Sequence, residues 1–367
     1  MRIVQVLTRP QRRGAEIFAL QLCERLLQFG HDVTVISLFK GEQGLKFSGN
    51  WIRLDLERKR KIDLAGFRIL AKALKRIGPD LVQANASETL RMTVGARQFF
   101  GGNYRVVYRN ANQISQFIHN PIQKLYNKVL LNQVDAILSV SESSKTDLEK
   151  TFGFKKKIEA IPIGIEPEEI QAGLGVSTGF SFSVPYLLSM GAWVPEKNHR
   201  QLIQLFADSL HPVHRDLHLV VMGAGKLEAE LSQLVKELNM ESKIHLIPAQ
   251  SNPFPILKKA QALLLPSKIE GLPGVILEAM YCRVPVIAYG VGGIPEVLVT
   301  HQTGWCIPPM DQKGFIAAIE EVLSMDSRKK EGILSNAFEL VSSNFTLEKV
   351  ARQFEDFYKR LLNSPLK

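Results

Sequence analysis

Apolar positions along the chain fall into two alternating patterns. Short β-branched runs closed by turn residues read as buried strands: RIVQVL (2–7), DVTVISL (32–38), DLVQAN (80–85), RVVYRN (105–110), DAILSVS (135–141) and IEAIPIG (158–164). Between them lie stretches with helical spacing. The clearest is AEIFALQLCERLLQFG, which closes at Gly30, and others are centred on 64–77, 121–132 and 142–152. Strands alternating with helices predict βαβ units and a parallel sheet.

The rhythm breaks at EPEEIQAGLGVSTGFSFSVP, rich in Gly, Ser and Pro, which places a boundary near 170–184. It then restarts. YLLSMGAW, LHLVVMGAG, KIHLIPA, ALLLPS and VPVIAYG read as strands. HRQLIQLFADSL, KLEAELSQLVKELN, PFPILKKA and GVILEAMYC read as helices, and LEKVARQFEDFYKRLLN ends the chain as a helix. The expectation is α/β with two Rossmann-like domains, 1–175 and 176–345, facing each other across a cleft, followed by a helix over 346–367. A chain of 367 residues exceeds one ordinary core, which agrees with two domains.

Composition narrows the class. Hydrophobic content of 45% and charged content of 22% are those of a soluble globular protein. Cys23, Cys282 and Cys306 are odd in number and far apart, so they offer no disulfide framework and point to a reducing cytoplasm. No apolar stretch approaches the roughly 20 residues of a membrane span. The net charge of +10 is uneven: residues 1–175 carry 27 Lys+Arg against 17 Asp+Glu, and residues 176–367 carry 19 against 19. The excess sits notably in RPQRR (9–13), ERKRK (57–61) and KKK (155–157). That is either a solvated basic surface or a surface for an anionic partner such as a membrane. No nucleic-acid module accompanies it, which argues against nucleic acid.

Four stretches carry possible chemistry. VMGAGKL (221–227) lacks the spacing of a phosphate loop, so Gly223 is either packing geometry or a nucleotide contact at a sheet edge. In MGAWVPEKNHRQLI, Lys197 stands after a strand and just before a helix N-terminus, suited to a phosphate or simply to the surface. Gly14 joins the first strand to the first helix, at the edge where open α/β sheets bind ligands. EGLPGVILEAM puts Glu270 in a loop and Glu278 about a turn into a helix that starts near Pro273 or Gly274. Two carboxylates beside a phosphate site suit hydroxyl groups, as acceptors, better than phosphate. A molecule with both is a nucleotide sugar.

Together these stretches resemble the retaining glycosyltransferases of family 4, which have the GT-B fold. The Glu-x7-Glu motif is matched by Glu270 and Glu278 within LPSKIEGLPGVILEAMYCRVPVIAYGVGGIPEVL. TRPQRRGAEIFALQLCERLLQFGHDVTVI, LSVSESSKTDL, IPIGIE and the last helix extend the similarity over nearly the whole chain. The resemblance implies an acceptor-binding domain over 1–175, a nucleotide-sugar domain over 176–345 and a final helix returning to pack on the first. It implies a sugar site at Glu270, Gly271, Leu272 and Pro273, a diphosphate contact at Lys197 beside Gly191, and a ribose carboxylate at Glu278. Gly14 with Ala15 would match the glycine-rich loop facing donor phosphate and acceptor. The implied reaction is transfer with retention, with no metal and no cofactor beyond the donor substrate. Its acceptor would be a glycan or lipid-linked molecule, used in surface polysaccharide or lipopolysaccharide synthesis by a cytoplasmic enzyme on the inner face of the membrane. Within the fold the alternatives are an epimerase or phosphorylase, and outside catalysis an inactive nucleotide-sugar-binding subunit. Two positions depart from the family pattern. Ala192 stands where an arginine is usual, leaving Arg200, Lys268 or the arginines of 9–13 to supply the charge. Asn110 and Asn112, with His119 further on, stand where many members carry a histidine.

Overall fold

The computed structural model describes all residues except 42–43, 58–62, 155–157, 177–178 and 365–367. Most of the basic run at 57–61 and all of that at 155–157 therefore lie outside the described residues. The chain forms two compact units, Met1–Gly164 with Leu347–Lys367, and Ile165–Thr346.

Unit 1 begins with β1 (Arg2–Leu7), α1 (Gly14–Gln28), β2 (Asp32–Phe39), β3 (Asn50–Leu56) and α2 (Leu64–Ile77). It continues through β4 (Leu81–Ala84), α3 (Ser87–Phe100), β5 (Arg105–Asn110) and α4 (Pro121–Asn132). β6 (Ala136–Ser139), α5 (Glu142–Phe152) and β7 (Ile158–Ala160) complete it. The seven strands pair in parallel in the order β3-β2-β1-β4-β5-β6-β7. Strands covered by helices on both faces bury nearly every position, which is why β1, β2 and β5 read as continuous rather than alternating apolar runs. β3 alternates between exposed and half-buried residues, as an edge strand does, and its mixed NWIRLDL sequence gave no strand signal.

Unit 2 opens with α6 (Pro167–Leu174), β8 (Tyr186–Met190), α7 (His199–Leu205), β9 (His218–Gly223) and α8 (Glu228–Glu237). β10 (Ile244–Pro248), α9 (Phe254–Lys259), β11 (Ala262–Leu265), α10 (Gly274–Tyr281) and β12 (Val286–Tyr289) follow. β13 (Trp305–Ile307), α11 (Gln312–Ser324) and α12 (Ser327–Asn344) close it. Its sheet is again parallel, in the order β10-β9-β8-β11-β12-β13. The boundary expected at 175/176 falls instead at 164/165. α6 lies inside the Gly- and Ser-rich segment, yet it packs on α9, and Asn252 donates a hydrogen bond to the Gly173 carbonyl. Ile165 also bridges to Thr346 at the far end of unit 2.

The final helix α13 (Leu347–Leu362) belongs to unit 1, as the resemblance implied. Leu347, Val350, Ala351, Phe354, Phe357 and Tyr358 recur at helical spacing and are all buried. They join Ile3, Phe18, Leu22 and Val33 in one core on the α1 face of the sheet. Polar bonds fix the register. The Tyr358 hydroxyl donates to the Gln83 carbonyl oxygen (2.7 Å) and accepts from the Gln5 amide (3.1 Å), all buried. Glu355 meets the His31 ring at 2.8 Å and the Lys359 ammonium at 2.8 Å. Burial works to raise its carboxyl pKa, but hydrogen bonds from Lys359 and His31 win and hold it at about 2.

Replacing Tyr358 with Phe leaves two buried glutamine side chains short of a partner. Unit 1 is expected to lose about 1–3 kcal/mol in urea unfolding, since the stranded groups bear their full desolvation cost. A loss under about 0.5 kcal/mol would mean that apolar packing alone seats the helix.

Candidate active site

In each sheet the strand order reverses once, and ligands of open α/β sheets bind at the carboxyl ends beside that reversal. In unit 2 the reversal lies between β8 and β11. The loop after β8 carries Gly191 and Lys197; the loop after β11 carries Glu270. Two residues 73 positions apart in sequence thus arrive side by side, with Lys197 Nζ 2.5 Å from Glu270 Oε1. The glutamate side chain is 7% exposed and the lysine 24%. A carboxylate so far from water requires a cation or several donors, and here it has the lysine.

The surrounding loops hold this pair in place. The Lys268 amide donates to the Glu196 carbonyl at 2.8 Å, tying the two loops together next to the pair. Asn198, with φ 58°, turns the chain from Lys197 into α7 and donates from its side chain to the Pro266 carbonyl at 3.1 Å. A third loop braces Glu270 from behind: Gly293 donates to the Gly271 carbonyl at 2.5 Å. Any Cβ at Gly292 would collide with the Glu270 carbonyl, and its φ of 57° also favours glycine. Asn198 and the glycines of VGG (291–293) were not singled out from the sequence. The double glycine close behind a strand was the available signal for the latter.

Donors converge on the same edge. α10 starts at Gly274 with Pro273 as a cap that contributes no side-chain hydrogen bond; Ile276 donates to the Pro273 carbonyl at 3.2 Å, while the Gly274 and Val275 amides make no backbone hydrogen bond among the described residues. The Gly271 and Leu272 amides make no backbone hydrogen bond among the described residues. Carboxylate, ammonium and amides at a helix N-terminus form a place where an oxyanion and hydroxyl groups can be held together.

Glu278 lies further along α10 and is partly buried. Burial first, and then the Glu169 carboxylate, pushes its pKa up to about 7. It is not part of the Lys197–Glu270 pair, and its chemistry is that of a carboxyl poised between neutral and charged. His199, buried beside the site at the start of α7, has its pKa lowered to about 4 by burial and by Lys197, so its ring is neutral. Gly223 has a structural explanation: a Cβ there would collide with the Gly191 carbonyl and crowd the Trp193 indole. Of the substitutes considered for the charge absent at Ala192, Arg200 is committed to Glu230 at 3.1 Å on the surface. Lys268 is exposed, and its ammonium makes no ion pair among the described residues.

In unit 1 the reversal lies between β1 and β4. Gly14 and Ala15, at the start of α1, follow β1 and are exposed there. No neighbour within 4 Å and no positive φ explains the glycine at 14, which leaves an open approach. Asn112 follows β5, one strand further along, and is also exposed, as is His119. Asn110 is instead buried, with an amide nitrogen lacking any acceptor. Two further groups stand near Gly14, Glu16 in the first turn of α1, where a carboxylate suits the helix N-terminus, and Arg109. Glu16 accepts from Gln11 at 2.6 Å, and burial raises its pKa. Arg109 is 2% exposed, lies over the Phe18 ring at 4.5 Å, and has its pKa lowered to about 10 by burial. A charged residue inside RVVYRN was a visible signal, since a strand covered on both faces rarely carries one.

Residues 178–338 match the family described as Glycosyl transferases group 1, and residues 12–169 match Glycosyltransferase Family 4. With both halves so matched, the chain belongs to the glycosyltransferases, and its two parallel-sheet units are the GT-B fold. Among its relatives is the Campylobacter jejuni N-acetylgalactosamine-N,N'-diacetylbacillosaminyl-diphospho-undecaprenol 4-alpha-N-acetylgalactosaminyltransferase. It is 28% identical over 240 residues, 64% of each chain, so the match spans less than two thirds of that relative. The Bacillus anthracis N-acetyl-alpha-D-glucosaminyl L-malate synthase is 24% identical over 96% of this chain and 95% of its own. Among solved structures, sucrose-phosphate synthase from Thermosynechococcus elongatus superposes with a TM-score of 0.81 at 20% identity, covering 98% of this chain and 99% of that one. HepE from Anabaena, in complex with UDP and glucose, gives a TM-score of 0.81 at 18% identity, covering 98% and 100%.

The raised pKa of Glu278 has a consequence for stability. Its folded value of about 7 exceeds the ordinary 4.5, so its contribution is full below pH 4.5 and lost as pH rises through 7. Glu278→Gln, neutral at every pH, is therefore expected to raise the stability of the ligand-free protein at pH 8 by about 1–3 kcal/mol. Below about pH 5 the gain should vanish in thermal unfolding. An equal shift at both pH values would show that packing, not charge, caused it.

Proposed function

We propose that the chain transfers a sugar from a nucleotide-diphosphate sugar to a glycan or lipid-linked acceptor, with retention at the anomeric carbon and without a metal. The observation that carries this reading is the pairing of Lys197 with buried Glu270 at the reversal point of the unit 2 sheet, beside the Gly271, Leu272 and Gly274 amides, which make no backbone hydrogen bond among the described residues. In this reading the donor's diphosphate takes the lysine and the helix amides, and the transferred sugar's hydroxyls donate to Glu270. Glu278 accepts from the ribose. The presence of UDP with HepE and of a diphospho-undecaprenol acceptor in the Campylobacter jejuni relative's name support the donor and acceptor classes.

The reaction balances without a protein base. The bond from the anomeric carbon to the diphosphate oxygen breaks as the acceptor oxygen bonds to the same face. The acceptor proton passes to the leaving phosphate, whose charge Lys197 and the α10 amides stabilise. Glu270 orients the sugar; it is not a general acid. Gly14 and Ala15 give the acceptor an open approach in unit 1, and Asn112 can orient it by hydrogen bonding. The basic charge of the N-terminal half suits an acceptor presented at an anionic membrane face.

A panel of nucleotide sugars in thermal-shift assays, followed by transfer assays with the stabilising donor, tests the reading. Lys197→Ala should lower kcat about 100-fold or more, and Glu270→Gln should lower it comparably, since each removes a contact to the reacting region. Stabilisation by none of the panel would overturn the donor site. Conversion of the free donor without acceptor would make the chain an epimerase. Donor binding with no release to any acceptor would instead make it a binding subunit.

A further inference from the structure

α4 stands apart from every other helix of unit 1, because its apolar side faces outward. Ile122, Leu125, Tyr126 and Val129 are 82%, 64%, 48% and 53% exposed, and Leu131 is the one buried residue of the helix. Their spacing of i, i+3, i+4 and i+7 places them in a single stripe, about 100° wide at 100° per residue. On the same wheel Lys128 lies nearest one border of that stripe, while Lys124 sits further round, toward the side of buried Leu131. The helix PIQKLYNKVLLN contains no acidic residue. Phe117, 40% exposed in the turn just before it, extends the apolar surface. Arg91 of α3 is close enough to act on the Tyr126 phenol.

Charge identifies the occupant. With α13 counted in its proper unit, unit 1 carries 32 Lys+Arg against 17 Asp+Glu, a difference of +15. Unit 2 carries 14 against 19, a difference of −5. A second copy of the same chain would bring a second strongly positive unit to the stripe, and like charges oppose that encounter. A surface that is both anionic and apolar beneath would be attracted by the charge and accept the side chains. A bilayer with anionic headgroups has both properties.

We propose that α4 is a membrane-docking helix, lying in the headgroup plane with Ile122, Leu125, Tyr126 and Val129 inserted, Lys128 reaching the lipid phosphates from the stripe's border and Lys124 adding to the attraction from the side away from the bilayer. This goes further than attraction by a basic domain, because it names an inserted element and predicts a component of binding that salt does not remove. No helix of the described residues is long and apolar enough to cross a membrane, so α4 lies on the bilayer rather than through it. The inference rests on the composition and exposure of α4, and it stands whichever donor the enzyme uses.

Flotation of the full chain with phosphatidylcholine vesicles, with and without phosphatidylglycerol, provides the test. The wild type should float with the anionic vesicles and retain part of that binding at high salt. Ile122→Ser/Leu125→Ser/Val129→Ser should lower partitioning more than about ten-fold, because three sizeable apolar side chains no longer leave water. Lys124→Gln/Lys128→Gln should lower it mainly at low salt. Both variants should keep the wild-type melting temperature and nucleotide-sugar thermal shift, which separates failure of docking from failure of the donor site. A wild type that ignores anionic vesicles, or a triple serine variant that floats like it, would overturn the proposal. So would a wild-type dimer in sedimentation that the serine variant dissolves while vesicle binding stays unchanged, since the stripe would then belong to a second copy.

Discussion

The contact between Lys197 and Glu270 organises most of unit 2's functional edge. A carboxylate 7% exposed to solvent costs several kcal/mol to bury unless a cation answers it, and the lysine that does so stands on a different loop. The two loops are therefore bound to one geometry. Lys268 to Glu196, Asn198 to Pro266 and Gly293 to Gly271 are the bonds that keep it. The pair also presets the chemistry. In the proposed reading, a donor entering there would offer phosphate oxygens to the lysine and hydroxyls to the glutamate, exchanging one internal ion pair for two sets of ligand bonds. That exchange conserves hydrogen bonding, so the ligand-free geometry is a resting state rather than a competitor.

Much of this was legible because parallel sheets covered on both faces write themselves as uninterrupted apolar runs. The strands at 2–7, 105–110 and 262–265 were visible for that reason, and the helices at 64–77 and 121–132 by their helical spacing. β3 and β13 were not, one because it alternates at an edge and the other because it is three residues long. α6 was hidden in a segment whose glycines and serines read as linker, although its Pro-Glu-Glu start is a helix signal and its packing on α9 places it in unit 2. The boundary moved with it.

The site was legible in pieces, not in its pairing. Lys197 near a helix start and Glu270 before a Gly-Leu-Pro-Gly turn each had a local rationale, but their contact depends on the strand order. No local pattern encodes that order. At Gly223 the motif left packing and a ligand contact open, and the Gly191 carbonyl and Trp193 indole beside it account for the glycine itself by packing. Arg109 shows a signal passed over. The charged side chain in this buried strand lies over the Phe18 ring, with Tyr358 and then Glu16 favouring its charge, while its Nε and Nη1 have no hydrogen-bond partner among the described residues.

The charge partition between the units clarifies how each handles anions. Counting α13 with unit 1, and Glu166, Glu168 and Glu169 with unit 2, changes a neutral C-terminal half into a unit of −5 and leaves +15 on the other. The diphosphate donor of the proposed function is itself strongly negative, so in that reading unit 2 cannot draw it in by net field. It must rely on local donors, Lys197 and unsatisfied amides at a helix N-terminus, whose reach is a few ångströms and whose geometry is selective. Unit 1 has the reverse design. Its field is broad and unselective, suited to a surface rather than to a single small molecule. Precise recognition on one unit and diffuse attraction on the other would, under the proposed function, divide the work between a dissolved donor and an acceptor presented at an interface.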